Sequence, residues 1–122
     1  DAPCSAIGTI RKNPEIFFKS KIPDFDKLNN LQQSMLEKAA RLLNQGGSIL
    51  YMTCSFIKNE TFDQINEFLK KNNNFLVANF ILTEENYDFS RLVKKNLMIT
   101  IPDKILNNNI DGYFAAYLKK IK

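Results

Sequence analysis

The chain has no histidine and only two cysteines among its 122 residues. The first absence excludes Ser–His and Cys–His nucleophile pairs, and histidine-ligated metal chemistry, within the chain. If covalent chemistry occurs here, a cysteine thiolate is the best nucleophile present. No apolar run approaches the ~20 residues that a membrane-spanning helix requires, and Asp1-Ala2-Pro3 does not open a signal peptide. There is no Cys-x-x-Cys pair, no G-x-G-x-x-G loop and no P-loop, and the four glycines are scattered. One bridge between two distant cysteines is a weak sign of secretion, so the expected compartment is the reducing cytoplasm.

What is present suits a single globular core. Apolar residues make up 44% and charged residues 25% of the chain, ordinary values for a soluble domain of this size. The net charge is +4, and 14 of the 17 basic residues are lysine. Such an excess favours a polyanionic partner such as RNA, although many proteins that bind no nucleic acid share it. The asparagine tracts at 72–74 and 107–109 are better explained by an AT-rich coding bias than by function.

Residues 1–23 read as a loop with short helical pieces, punctuated by Pro3, Gly8, Pro14 and Pro23. From Asp24 to Asn44, Leu28, Leu31, Met35, Ala39, Leu42 and Leu43 recur at helical spacing, and Gln45-Gly46-Gly47 ends the helix. Ser48 to Met52 predicts a buried strand. A second helix follows, with Asn59 as its expected N-cap, Glu60 and Asp63 in its first turn, and Phe62, Ile65, Phe68 and Leu69 on one face. Strands are predicted over 75–82, 97–101 and 113–118, with 83–96 unassigned and 107–112 turn-like. Helices alternating with strands predict an α/β fold: a mostly parallel sheet with an antiparallel closing strand.

The two thiols occupy comparable places. Cys54 directly follows the strand ending at Met52, where doubly wound sheets bind their ligands. Cys4 lies in Asp1-Ala2-Pro3-Cys4-Ser5, a loop expected to follow a neighbouring strand. Parallel neighbours lie ~4.8 Å apart, so both thiols can face one pocket. The competing account is that each cysteine is a small buried hydrophobe. Arg11 and Lys12 are candidate RNA contacts, Arg11 by forking onto phosphate or stacking on a base, with Lys19 and Lys21 extending the patch. A plain exposed basic loop remains open. Thr53 and Ser55 are assigned to turn stabilisation, and Phe17, Phe18 and Phe25 to packing.

Asp-Ala-Pro-Cys-Ser followed some fifty residues later by Thr53-Cys54-Ser55 resembles the cytosine-C5 RNA methyltransferases of the Sun/Nop2 type. Asp111-Gly112-Tyr113-Phe114-Ala115-Ala116 resembles that family's closing strand, with tyrosine in place of the first phenylalanine. Three motifs in family order cover nearly the whole chain. The resemblance implies the C-terminal half of a Rossmann-like methyltransferase domain over residues 1–122, lacking the cofactor-binding half and catalytically inactive alone. It implies S-adenosylmethionine as cofactor, no metal, and RNA as substrate, ribosomal RNA in the bacterial small-subunit enzymes. By the same resemblance Cys54 is the nucleophile that adds to C6 of cytosine, Cys4 assists breakdown of the adduct, and Asp1 contacts the cofactor. A solvated terminal residue is the alternative for Asp1.

Such a half would also leave a sheet edge open to self-association. Two rival functions stand beside the enzyme: a non-catalytic RNA-associated domain that has kept the fold, and a thiol redox protein in which Cys4 and Cys54 form a reversible disulfide.

Overall fold

The computed structural model describes residues 1–81, 92–105 and 108–122. In chain order its regular elements are α1 (Phe25–Leu42), β1 (Ser48–Thr53), α2 (Phe62–Lys71), β2 (Phe75–Val77), β3 (Val93–Lys94), β4 (Leu97–Ile99), β5 (Asp103–Ile105), β6 (Asn108–Ile110) and β7 (Phe114–Lys120). Single 3-10 turns lie at Ile7–Thr9, Pro14–Phe18 and Lys58–Glu60. Among the described residues no helix is long and apolar enough to cross a membrane.

The α/β class is as expected, but the sheet is not. Every ladder among the described residues is antiparallel, which corrects the expectation of a mostly parallel sheet. The reason is the position of β7. One of its edges pairs with all of β1, from Ser48↔Lys119 to Thr53↔Phe114. Its other edge is shared, β2 taking Leu118 to Lys120 and β4 taking Phe114 to Ala116. β1 and β2 therefore run in the same direction but never touch, because β7 lies between them. A hint of parallel pairing survives at the start of the chain: the Ala2 N–H donates to the Met52 carbonyl at 2.8 Å.

Sharing an edge also explains why β2 is short. The predicted strand over 75–82 stops at Val77, with one further bond from the Ala78 N–H to Tyr117. β2 must then leave the edge so that β4 can follow; Ile81 is exposed, and Leu82 lies outside the described residues. So do residues 83–91 of the unassigned segment and Asn107 of the expected turn. Asn108–Ile110 of that turn form β6, paired with β5. β3 and β4 meet across Lys95 and Asn96, both at positive φ, as the right-handed twist of a two-residue hairpin demands. The closing strand runs two residues beyond Leu118. The Lys120 ammonium donates to the Ala40 and Leu43 carbonyls, placing a cation on the negative end of α1.

The helix over 24–44 forms much as predicted, with Asp24 accepting from the Lys27 N–H as N-cap. Its buried stripe, however, is Gln32, Leu36 and Ala40. Leu31, Met35 and Leu42 are exposed, so the buried face is rotated about one residue from the expected one. Gln32 is the cause: a polar residue turns inward to donate to the Pro3 carbonyl at 2.8 Å. The core joins Leu36, Ala40, Tyr51, Ile65, Phe68, Phe75, Phe114 and Leu118. Phe68 meets Phe75, and Phe62 meets Phe114, edge to face at 5.1 and 5.2 Å. Each fully buried ring contributes about 1.5–3 kcal/mol through area alone. Phe25 is only half-buried, and Phe17 and Phe18 are 70% and 86% exposed, against the expectation that they pack.

Backbone fastens the loops at the end of β1. The Gly8 N–H donates to the Cys54 carbonyl at 3.0 Å, and the Gly8 carbonyl accepts from the Gly112 N–H at 2.7 Å. A methyl group on Gly8 would overlap the Gly112 carbonyl and lie 2.8 Å from the Cys54 oxygen. Gly112 is as confined, since a Cβ there would sit 2.7 Å from the Phe56 ring. Backbone thus approaches backbone closely at Gly112. Gly8→Ala is expected to cost about 3 kcal/mol or more, because backbone rather than a side chain must give way; urea unfolding of the variant measures it.

Candidate active site

Cys4 and Cys54 are brought together. Their sulfurs lie 3.2 Å apart, both half-buried and both free thiols. The opening segment runs alongside β1 in the same sense, Ala2 beside Met52 and Cys4 beside Cys54. Burial, and after it the contact with Cys54, pushes the Cys4 thiol up to about 12. At neutral pH Cys4 is therefore a protonated thiol.

The serines that follow the two cysteines close on a carboxylate that the sequence assigned elsewhere. Glu60 is not in the first turn of α2; it closes the 3-10 turn Lys58–Glu60, and the N-cap is Thr61 rather than Asn59. Its side chain is drawn inward with 0% exposure. Ser5 donates to it twice, from its N–H at 2.7 Å and its hydroxyl at 2.6 Å. Ser55 donates a third bond at 2.6 Å. Ser55 thus does more than stabilise a turn, although its oxygen also accepts from the Ile57 N–H as a turn residue should. A signal was available: the tetrapeptide Cys-Ser-x-Ile occurs at 4–7 and again at 54–57, both copies reaching the same acid.

Arg11 and Lys12 are both exposed, and both engage Asp111. Arg11 donates from Nε to Asp111 Oδ1 at 3.0 Å, with a second guanidinium nitrogen also at 3.0 Å, and Lys12 Nζ lies 2.9 Å from Oδ2. Asp111 is buried, while Lys12 stays largely in solvent. The Lys12 hydrogen bond, with help from the Arg11 charge, holds the Asp111 carboxyl below its ordinary range against the opposing effect of burial. Lys19 and Lys21 are exposed beyond it.

Asp1 is exposed and apart from the thiols. It lies on the rim of a depression of about 160 Å³ lined by Met35, Leu36, Ile49 and Tyr51, among others, and by neither cysteine. Among the described residues no three His, Cys, Asp or Glu side chains are grouped to hold a metal ion. Thr53 is fully buried with no partner for its hydroxyl oxygen.

The two thiols thus meet at the end of a strand. A model of the family described as 16S rRNA methyltransferase RsmB/F matches residues 1–119. The chain belongs to this family. It is similar to ribosomal RNA small subunit methyltransferase B of Shewanella oneidensis, 32% identical over 98% of the chain and 26% of that protein. It is also similar to the 25S rRNA (cytosine-C(5))-methyltransferase nop2 of Schizosaccharomyces pombe, 36% identical over 99% of the chain and 21% of that protein. Among solved structures, PH0851 superposes with a TM-score of 0.79 at 34% identity, covering 98% of the chain and 25% of the other. A methyltransferase homolog from Pyrococcus horikoshii superposes at 0.68 with 25% identity, covering 99% and 37%. The chain thus spans about a quarter of the length of the two rRNA methyltransferases it resembles.

The Asp111 pairings predict a pH dependence of definite sign. A carboxyl with a lowered folded value contributes stability above its unfolded pKa, near 4, and loses it as pH falls through the folded value. Melting temperature is expected to drop over that acid range, and Asp111→Asn to flatten the drop. Cys4 is separately expected to react with iodoacetamide at pH 8 at least ~10-fold more slowly than in urea-unfolded protein, as peptide mass analysis would report.

Proposed function

We propose that this chain is the cysteine-bearing part of the catalytic domain of a ribosomal RNA cytosine-C5 methyltransferase. The observation that carries the proposal is the 3.2 Å approach of Cys4 to Cys54, in a chain whose family and relatives carry rRNA methyltransferase names.

C5 of an aromatic pyrimidine is too weak a nucleophile to take a methyl group unaided. Addition of the Cys54 thiolate at C6 breaks the aromaticity and makes C5 enamine-like. S-adenosylmethionine, when bound, supplies the methyl as a sulfonium. Loss of the C5 proton and expulsion of the Cys54 thiolate then restore the ring. Cys4 remains a thiol within hydrogen-bond range of the departing sulfur, which suits it to stabilise that thiolate and release the product. The fit to the cofactor rests on one group in this chain: the exposed Asp1 carboxylate has the charge to meet the cofactor's ammonium or sulfonium end. The glycine-rich loop and ribose-binding acid of the family are not among these 122 residues. RNA phosphate meets Arg11 and Lys12, which Asp111 holds in place while leaving Lys12 open to solvent.

The sulfur approach also favours a second reading, a reversible disulfide switch. Paired variants separate the two. In the intact polypeptide, Cys54→Ala is expected to abolish methylation, and Cys4→Ala to accumulate a covalent protein–RNA adduct on denaturing gels. A redox device would lose function equally with either cysteine. An adduct that forms without Cys54 overturns the proposed assignment.

A further inference from the structure

Glu60 is buried against the serines that follow the two cysteines, yet among the described residues no lysine or arginine pairs with it. Burying a carboxylate without a cation is costly unless its oxygens are well hydrogen-bonded. Here the donors come from the two residues that directly follow the cysteines. Ser5 occupies Oε1 through its N–H, and the hydroxyls of Ser5 and Ser55 converge on Oε2. Each hydroxyl also accepts an N–H from two residues downstream, Ile7 at 3.5 Å and Ile57 at 3.1 Å. The Tyr51 hydroxyl donates to the Glu60 carbonyl at 2.9 Å, fixing the acid to β1. One carboxylate therefore sets where both cysteine loops stand.

We propose that Glu60 is a positioning residue, holding the Cys4 and Cys54 thiols in register through Ser5 and Ser55. A core residue would affect the thiols only through global stability. Glu60 acts on their separation while the fold stays intact. Its importance for catalysis rests on the methyltransferase reading; the geometric role does not.

The separation can be measured without any methylation. In a glutathione buffer the two thiols pass two electrons and two protons to one glutathione disulfide, which leaves as two glutathione thiols. The equilibrium constant reports how well the sulfurs are held together. In the intact polypeptide, Glu60→Gln keeps the shape but leaves an amide where two hydroxyls converge. Its constant is expected to fall about tenfold or more, the worth of hydrogen bonds to a charged group. Ser5→Ala/Ser55→Ala should reproduce the fall, and Phe68→Leu, which lowers the melting temperature from within the core, should not.

With RNA and cofactor, kcat should fall with the constant while KM stays within about twofold. A constant unchanged in both Glu60→Gln and the double serine variant overturns the proposal. If Glu60→Gln does not melt cooperatively, the single serine variants decide, and wild-type constants in both overturn it. Wild-type protein that methylates no RNA, while its constant still responds to Glu60→Gln, sinks the methyltransferase reading and leaves the positioning role standing.

Discussion

The arrangement depends on the absence of a side chain at Gly8. Its backbone lies between two others, giving a proton to the Cys54 carbonyl and accepting one from the Gly112 amide. Three stretches that carry the family motifs are thereby fastened at main-chain distance. No other residue fits, because a Cβ would occupy the Gly112 carbonyl. The thiols are then close as a consequence of where the backbone lies. Their own mutual attraction contributes little, since a thiol is a weak donor and a weak acceptor.

Two buried carboxylates secure this junction by opposite means. Asp111 is held by two cations from the loop after Cys4, one of them mostly in water, so part of its worth is open to screening by salt. Glu60 is held by neutral donors in a closed setting, where hydrogen bonds to a charge are short and strong. Asp111 joins the loop at residues 11–12 to the approach of β7. Glu60 joins both cysteine loops to β1 and the start of α2. Together they allow a site made of loops to hold its shape as a scaffold element would.

The meeting of the cysteines was legible in the sequence because strand tips are where open sheets present chemistry, and a short apolar run before Cys54 marks such a tip. The two helices were legible from their spacing. The roles of Gln32 and Glu60 were not. A polar residue counts toward solvent in any pattern of apolar periodicity, so the inward turn of Gln32 shifted the apparent face of α1. Glu60 fits a helix N-terminus by charge, and only the fold reveals two serines fifty residues apart closing on it. The place of β7 was hidden for a different reason. Strand pairing is a long-range choice, and nothing within 113–118 states that its neighbours on the two sides are β1 and the β2–β4 pair. Phe17 and Phe18 show the limit of composition: apolar residues are often inside, but the rule runs one way.

The central position of β7 bears on how the polypeptide assembles as it leaves the ribosome. β1, β2 and β4 all emerge earlier, and none of them pairs with another. Until Phe114–Lys120 is exported, each of these strands has an open edge, and closing them requires contacts between residues as far apart as Ser48 and Lys119. Such topology is slow to nucleate and exposes pairing-competent backbone meanwhile. Among the described strands, β1, β2 and β4 therefore wait on a single later segment before they are joined in one sheet.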